Sequence, residues 1–378
     1  MTNNVSRRQF VELSGLVAAG LGLVGCGGGS GSSSSDSIMV GIMGPFSGDV
    51  AQYGIACRNG AQLYFKQLNE KGDATEAVSV YNKLVQDGVT AIVGDVTSTP
   101  TIAVAQASVT DNMPCVTASA TAADVITFGS NYFRACITDP FQGKVMADFA
   151  AKQGYKTVGT IYNSGGDYEV GVEKAFVEEA QSKGITITSE QGYPAGATDF
   201  NGQLTSLISG NPDAILAPNY YQDNGKIVTQ ARKLGYKGVF LGADGWAGII
   251  GGDQDYASAE DLEGCFYDTS FSASNTTSSV QDFVKAYTDE YGEAPTNFCA
   301  LGYDAAAIMA AGLEAAEKSG ESAGSDAYKQ AVIDGIAAAK VSGVTGDISY
   351  SGTGDPVKST LIITFKDGKE EIFDTIDA

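Results

Sequence analysis

The sequence of 378 residues contains no histidine. Histidine is the commonest general base and the commonest transition-metal ligand, so its absence argues against an enzyme and against most metal sites. Basic residues are also scarce, since 23 Lys and Arg stand against 45 Asp and Glu and give a net charge of -22. Because nucleic-acid binding depends on basic side chains that neutralise phosphates, this balance argues against a nucleic-acid partner.

Cysteines are few and show no pairing pattern. Beyond Cys26 there are five, an odd number without a CxxC pair: Cys57, Cys115, Cys136, Cys265 and Cys299. This spacing argues against a zinc site, and we expect neither a metal nor a cofactor. Apolar neighbours, as at residues 113–116, predict buried free thiols, while one disulfide stays open without a choice of partners.

The apolar run near the N-terminus is too short to span a membrane. Residues 13–25 fall short of the roughly 20 residues that a spanning helix needs. The run follows the paired Arg7 and Arg8 and ends in a glycine directly before Cys26. A basic start, a short apolar segment and a small residue before a cysteine are typical of an export signal. A core helix that ends in cysteine is the weaker alternative.

The end of this segment resembles a bacterial lipobox, which implies cleavage before Cys26 and lipidation of that residue. The paired arginines resemble the twin-arginine export motif, although Glu12 stands where that motif usually has a basic residue. Residues 27–37 are rich in Gly and Ser and cannot bury apolar surface, which predicts a flexible tether. We therefore expect an export signal over residues 1–26, a tether over 27–37 and an extracytoplasmic protein anchored to the cell membrane.

From residue 38 onward, short apolar runs alternate with amphipathic stretches, which is the pattern of βαβ units around a parallel sheet. About 340 residues are enough for two domains. The predicted strands are 38–43, 91–93, 115–117, 157–162, 214–217 and 238–241. The predicted helices are 54–69, 101–111, 143–153, 171–183, 200–209, 225–234, 280–291 and 303–319. Period-two alternation at 346–351 and 359–365 predicts antiparallel hairpins near the C-terminus.

Hydroxyl-bearing loops follow two of the predicted strands. After strand 91–93, Ser98 is the predicted N-cap of a helix with Pro100 in its first turn, and Ser119 and Thr121 follow strand 115–117. Ligands of open α/β sheets sit beyond the carboxyl ends of the strands, and the free N–H groups of a helix N-terminus suit a carboxylate. Such residues most often only cap helices, but two loops on neighbouring strands favour a ligand site.

The second half supplies polar aromatic residues and an acid in the same kind of loop. Tyr168, Tyr220 and Asp244 each follow a predicted strand. Tyrosines pack on a ligand while keeping one hydrogen bond. Asp244 lies among glycines, where it is suited to an ammonium group, and a turn-forming Asp before Gly is an equal alternative.

In their order, these loops resemble the branched-chain amino-acid binding family of periplasmic-type receptors that feed ABC transporters. The matching segments are 40–48, 93–98, 119–121, 138–143, 242–246 and 302–306. The resemblance implies a type I periplasmic-binding-protein fold of class α/β. Its two lobes would each be a mostly parallel sheet flanked by helices, joined by three hinge crossings. One lobe would comprise 38–138 with 270–344, and the other 139–269 with 345–378.

The resemblance also implies roles for individual residues. Ser98 and Thr121 would bind the α-carboxylate of the ligand, and the Ser119 carbonyl with Asp244 would hold its α-ammonium. Tyr168 and Tyr220 would close from the second lobe. Thr99 and Ala120 lie in the same two loops and are counted with the site. The side-chain pocket would be lined by Tyr53, Val96, Thr97, Tyr220 and Phe298.

The implied function is that of a monomeric receptor that delivers an amino acid, branched-chain or similarly apolar, to ABC permease subunits by hinge closure. A sensor of the same fold for a signalling receptor is an alternative. The polarity of Thr97 and Tyr53 also leaves short amides, aromatic acids and other amino acids open. An enzyme with Ser98 or Ser119 as nucleophile lacks a histidine or lysine partner.

One segment departs from the family pattern. Relatives normally carry a Gly-rich turn and a second strand after the first helix, whereas here residues 69–71 run directly into Gly72 and an Ala-rich helical stretch. We therefore expect that strand to be missing. Its loss would leave a new sheet edge and exposed apolar helix faces in the first lobe.

Overall fold

The computed structural model describes residues 40–46, 50–69, 78–251 and 254–377. The predicted export signal, the tether and Cys26 lie outside the described residues. The strands are β1 (Val40–Ile42), β2 (Ala91–Val93), β3 (Cys115–Thr117), β4 (Tyr132–Arg134), β5 (Thr157–Asn163), β6 (Thr186–Tyr193), β7 (Ala214–Leu216), β8 (Val239–Gly242), β9 (Phe266–Thr269), β10 (Lys340–Gly343), β11 (Gly346–Ser349), β12 (Thr360–Lys366) and β13 (Lys369–Ile376).

The helices fill the intervals between these strands. They are α1 (Ala51–Asn69), α2 (Val78–Gln86), α3 (Ser98–Ser108), α4 (Asp139–Gln153), α5 (Asp167–Ser182), α6 (Asn201–Ser209), α7 (Tyr221–Lys233), α8 (Ala259–Leu262), α9 (Ser278–Tyr291), α10 (Asn297–Ser319) and α11 (Asp326–Ala337). The alternation of strand and helix confirms the predicted α/β class.

The first sheet has four parallel strands in the order β1-β2-β3-β4. Every residue of these strands is buried, as expected for a parallel sheet covered on both faces. In the described part of the chain β1 pairs only with β2 and so forms an edge, where the missing strand would have paired. Residues 70–77, in which such a strand would lie, are outside the described residues, so its absence stays a prediction.

Helix α10 is the central helix on this sheet. It packs on α1 and α11 and touches β2 and β3. By length and composition it could cross a membrane, but 78% of its apolar stretch is buried in the protein, which identifies a core helix. It approaches α1 closely because each helix places a glycine against the backbone of the other: a Cβ on Gly60 would lie 1.8 Å from the Cys299 carbonyl oxygen, and one on Gly302 would lie 2.0 Å from the Cys57 carbonyl oxygen. The five cysteines of the described chain are buried and free, which confirms the predicted thiols.

The second sheet has seven strands in the order β13-β12-β9-β8-β7-β5-β6. Strands β5 to β9 are parallel, whereas β12 runs antiparallel to β9 and forms a hairpin with β13. The hairpin turns at Asp367 and Gly368, whose φ angles are 49° and 74°. Both positions of such a tight turn need positive φ, which Asp-Gly adopts readily.

The sequence-based prediction was incomplete for several strands. Strands β4, β6 and β9 were not predicted, because β4 and β9 are short and include charged residues and β6 is a half-exposed edge strand. Antiparallel hairpins are present as predicted, but with different pairing. Strand β11 pairs with β10, which was not predicted, and β12 pairs with β13 and β9.

The chain passes between the two sheets three times, after β4, after β9 and before β12. Lys358 joins two of these passages, since its ammonium donates to the Ala135 carbonyl at 2.9 Å and to the Thr345 hydroxyl. Residues 350–356 still contact β4 of the first sheet, as in the 3.0 Å bond from Arg134 N–H to the Gly354 carbonyl. We therefore propose that the third crossing lies near Lys358 rather than after the predicted residue 344.

Candidate ligand-binding cleft

Residues from both sheets meet at one small cavity. Its lining combines loops that follow β2, β3, β7 and β8 with the N-termini of α5 and α10: Val96, Thr97, Ser119, Thr121, Tyr168, Tyr220, Asp244 and Phe298. All eight belong to the predicted site. The cavity measures about 10 Å³, which is about the room that one water molecule needs. The two sides must therefore move apart for an amino acid to enter.

Hydrogen bonds tie the two loops of the first sheet to each other. The Ser119 hydroxyl donates to the Val96 carbonyl at 2.9 Å, and the Ser98 hydroxyl accepts from the Ala122 N–H at 3.2 Å. The predicted N-cap is wrong by one residue, because Thr97 has the extended cap conformation and Ser98 is the first helical residue. Ser98 therefore braces the neighbouring loop through its side chain rather than capping its own helix.

The loop after β3 is folded around a buried hydroxyl. Thr117 donates to the Asp95 carbonyl at 2.6 Å and accepts from the Ala120 N–H at 3.1 Å. The Thr121 carbonyl accepts from the Asp139 N–H at 3.0 Å, at the start of α4. Of the N–H groups of residues 120–122, only that of Thr121 has no hydrogen-bond partner among the described residues. It is a donor available to a ligand.

Asp244 lies on the opposite side of the cavity and is 4% exposed. Its N–H donates to Gln142 Oε1 at 2.9 Å, and the adjacent Gly245 N–H donates to the Tyr168 hydroxyl at 3.0 Å. Burial raises the pKa of the Asp244 carboxyl to about 7, although a hydrogen bond from Tyr168 opposes the shift. In the described part of the chain no ion pair includes Asp244. A buried carboxylate without a cation is suited to bind one.

Further acids lie behind Asp244. Asp139 and Asp268 are buried, and burial together with the nearby Asp244 holds the pKa of each carboxyl well above its usual range. Burial also raises the pKa of Glu169 to about 7. The second side of the cleft therefore favours a positive group. No cluster of Cys, Asp and Glu able to hold a metal ion is found within the described ranges.

Aromatic rings form the remaining walls. Tyr168 and Tyr220 are stacked with ring centroids 5.1 Å apart. Phe298 also lines the cavity, and Tyr53, which does not, stacks on Phe298 with ring centroids 4.0 Å apart. Burial, together with the nearby Glu169 and Asp244 carboxyls, raises the pKa of the Tyr220 hydroxyl well above its usual range. A ligand side chain enclosed by the rings of Tyr168, Tyr220 and Phe298 and by Val96 would contact mainly apolar surface.

The family assignment follows from comparison with known proteins. A family model described as periplasmic binding protein matches residues 37–369. The chain belongs to the periplasmic binding protein family. As a periplasmic binding protein it is an extracytoplasmic substrate-binding protein, and the predicted family is confirmed.

Individual relatives agree with this assignment. A Leu/Ile/Val-binding protein of Rhizobium johnstonii is 29% identical over 336 residues, covering 84% of this chain and 88% of the relative. The structure of a leucine-binding protein from Thermotoga maritima has a TM-score of 0.80 at 26% identity and covers 90% of this chain and 99% of its own. A branched-chain amino acid transporter substrate-binding protein from Streptococcus pneumoniae, solved with isoleucine, has a TM-score of 0.79 at 28% identity with the same coverage. The predicted type I fold is confirmed.

Four predicted site residues of this periplasmic binding protein do not line the cavity: Tyr53, Ser98, Thr99 and Ala120. Tyr53 was expected to line the side-chain pocket, but its hydroxyl donates to the Gly245 carbonyl and accepts from the Tyr221 N–H at 3.1 Å. The Thr99 hydroxyl donates to the Asp167 carboxylate at 2.7 Å at the rim. Both side chains thus join the two sides of the cleft directly. The Ala120 carbonyl points away from the cavity, toward Arg134.

Sequence reasoning missed three residues that shape this periplasmic binding protein's cleft. Gln142 lies in the segment 138–143, which carried part of the family resemblance, so its role in the cleft could have been predicted. Tyr221 acts through its backbone N–H, which any residue type supplies. Arg134 is the last residue of β4, a strand that was not predicted, and no motif marks it.

Proposed function

We propose that this periplasmic binding protein is the substrate-binding component of an ABC importer and binds an amino acid with a branched-chain or similarly apolar side chain. The observation that carries the proposal is the charge arrangement across one cavity. Across this cavity the Asp244 carboxyl lies opposite the hydroxyls of Ser119 and Thr121 and the Thr121 N–H. Among the described residues, Asp244 has no ion-pair partner and the Thr121 N–H has no acceptor. Such a pair of sites is complementary to the ammonium and carboxylate groups of one amino acid.

In this proposal Thr121 receives the carboxylate through its hydroxyl and its N–H, beside the N-terminus of α3. The dipole of α3 adds a favourable positive field at this end. Asp244 and the Ser119 carbonyl receive the ammonium group. Charge-assisted hydrogen bonds contribute roughly 1.5 to 3 kcal/mol each, so four or five exceed the about 8 kcal/mol of a micromolar ligand before ordering terms are subtracted.

The side chain of the ligand would occupy the space among Val96, Thr97, Tyr220 and Phe298. These residues offer mostly apolar surface with one hydroxyl at Thr97, which supports a branched aliphatic side chain. The names of the relatives from R. johnstonii and T. maritima agree with this substrate class. Binding would draw the two lobes together about the three crossings, with no chemical step and no catalytic residue.

The remaining parts of the proposal concern the cell surface. Cleavage before Cys26 and lipidation of that residue would anchor the protein to the membrane through the tether of residues 27–37, after export by the twin-arginine route. The monomeric receptor would then deliver its ligand to the permease subunits of the importer. Replacing Cys26 by Ser should release the protein from the membrane fraction, and fractionation of cells expressing each form measures this.

A thermal-shift screen of the purified protein, stripped of bound ligand, against the twenty amino acids and several short amides tests the binding proposal. A ligand at 100 times its Kd should stabilise the fold by about 2.7 kcal/mol, a shift of several degrees in Tm. Shifts confined to Leu, Ile and Val support the proposal. If another compound gives the largest shift in Tm, the proposed substrate class changes. The lack of any shift would refute amino-acid binding.

The role of Asp244 has its own test. Asp244→Asn keeps the size of the side chain but removes the charge opposite the ammonium group, so the binding free energy of leucine should fall by roughly 2 to 5 kcal/mol. Calorimetric titration measures this. Asp282→Asn, on the exposed face of α9, is the matched control and should leave Kd unchanged. Equal affinity of the Asp244 variant and the control would exclude this residue as the ammonium partner.

A further inference from the structure

Arg134 is a buried arginine one layer behind the carboxylate side of the cleft. It is the last residue of β4, pairs in register with Thr117 of β3, and has no exposed surface. It does not line the cavity. Its guanidinium lies instead on the rear of the loop that carries Thr121, so any effect on a ligand must pass through that loop.

The contacts of this guanidinium are specific. One nitrogen, Nη1, donates to the Ala120 carbonyl at 2.8 Å and to the Ala122 carbonyl at 3.0 Å. Nε forms an ion pair with Asp355 Oδ1 at 2.7 Å. The guanidinium reaches the two carbonyls and Asp355 with two different nitrogens of one rigid plane, whereas a lysine has a single nitrogen. Arg134 therefore fixes the carbonyls on both sides of Thr121.

Fixing the Ala120 carbonyl also fixes the next N–H. In a planar trans peptide the carbonyl of one residue and the N–H of the following residue point in opposite directions. With the Ala120 carbonyl turned toward Arg134, the Thr121 N–H must point away from Arg134. Thr121 lines the cavity and its N–H has no partner among the described residues.

We propose that Arg134 is a positioning residue that aims the Thr121 N–H at the carboxylate of the ligand and strengthens that donor through its buried charge. The proposal rests on the function proposed above. A positive charge on the carbonyl side polarises the peptide group, and hydrogen bonds to charged partners are about twice as strong as neutral ones. Arg134 thus contributes to the selection of an amino acid over the corresponding amide.

A second contact extends this arrangement toward the hinge. Residues 350–356 lie against β4, where the Tyr350 hydroxyl donates to the Arg134 carbonyl at 3.0 Å and Gly354 accepts from the Arg134 N–H. A Cβ on Gly354 would lie 2.2 Å from the Tyr132 carbonyl oxygen, so only glycine fits this approach. The segment thereby brings Asp355 to Arg134 and balances its charge.

The test compares Kd for L-leucine and L-leucinamide, which differ in the group that Thr121 would bind. In Arg134→Gln the preference for leucine should fall at least tenfold. In Arg134→Lys, which keeps the charge but cannot donate from one rigid plane to both carbonyls and to Asp355 at once, it should fall at least threefold. Arg232→Gln is the matched control, since Arg232 also holds two carbonyls, those of Tyr236 and Gly238, far from the cleft. The Arg232→Gln variant should keep its preference for leucine over leucinamide unchanged, even if its Tm falls.

The outcomes separate this inference from the function on which it rests. An unmodified protein that binds neither probe refutes the proposed function and the inference with it. A protein that prefers leucine, with a preference that Arg134→Gln leaves within twofold, refutes the inference alone and assigns Arg134 to stability. If the glutamine variant does not fold, the lysine variant decides, and an unchanged preference overturns the inference.

Discussion

Tyr53→Phe should weaken ligand binding although Tyr53 does not line the cavity. The Tyr53 hydroxyl, on α1, bonds the Gly245 carbonyl and the Tyr221 N–H, which both belong to the opposite side of the cleft. These two bonds exist only while the cleft is closed. Phenylalanine keeps the ring that stacks on Phe298, so the substitution removes the bonds and little else.

The magnitude follows from the two bonds. Each contributes about 0.5 to 1.5 kcal/mol net, so the closed form should lose roughly 2 kcal/mol. A loss of this size corresponds to about 30-fold in an equilibrium constant. If the protein is mainly open without ligand, the whole loss appears in Kd, since the ligand must then close a less favourable state. Most of it should appear as faster dissociation, because the bonds form after encounter.

Calorimetry gives Kd, and stopped-flow fluorescence gives the dissociation rate. Tyr328→Phe is the matched control, because the Tyr328 hydroxyl bonds Glu317 at 2.7 Å within the α10 and α11 pair. That variant should lose stability but keep its affinity for leucine. A Kd for Tyr53→Phe within twofold of the unmodified protein would refute the idea that these bonds help to hold the cleft closed.

Two further predictions concern pH and helix packing. Because burial raises the pKa of Asp244 to about 7, the carboxyl must lose a proton to meet an ammonium group, so leucine affinity should be about tenfold weaker at pH 6 than at pH 8. The folded pKa is raised, so without ligand Asp244 should lower stability as pH rises from about 4 through 7. Glu169→Gln should preserve this pH dependence of Kd, and a flat profile contradicts the prediction. Gly60→Ala would press a Cβ to 1.8 Å from the Cys299 carbonyl oxygen and should lower the unfolding free energy in urea by at least about 1 to 3 kcal/mol. A Cβ added at Gly202 would meet no atom within 4 Å, so Gly202→Ala should raise the unfolding free energy by up to about 1 kcal/mol. Equal changes in the unfolding free energy of the two variants would disprove the packing argument.

Much of the cleft could be predicted from the sequence because its residues follow strands. The carboxyl ends of parallel strands share one edge of a sheet, so the loop with Ser119 and Thr121 was expected beside the loop with Ser98, and Asp244 in the same kind of loop as Tyr220. Eight of the predicted residues do line one cavity. Five of them, Ser119, Thr121, Tyr168, Tyr220 and Asp244, were recognisable from local pattern: an apolar run, then a loop with hydroxyls, aromatic residues or an acid. Val96, Thr97 and Phe298 were placed in the site by the family resemblance.

The sequence by itself therefore determined the α/β class and most of the loops from which the cleft is built, because these depend on neighbours within a few residues. Tertiary structure alone decided how those loops meet. Tyr53 finds its partners 168 and 192 residues away along the chain, and Arg134 reaches Asp355 from the end of β4. No local pattern encodes such pairs, because the packing of the two lobes and the path of the hinge crossings set the distances between them.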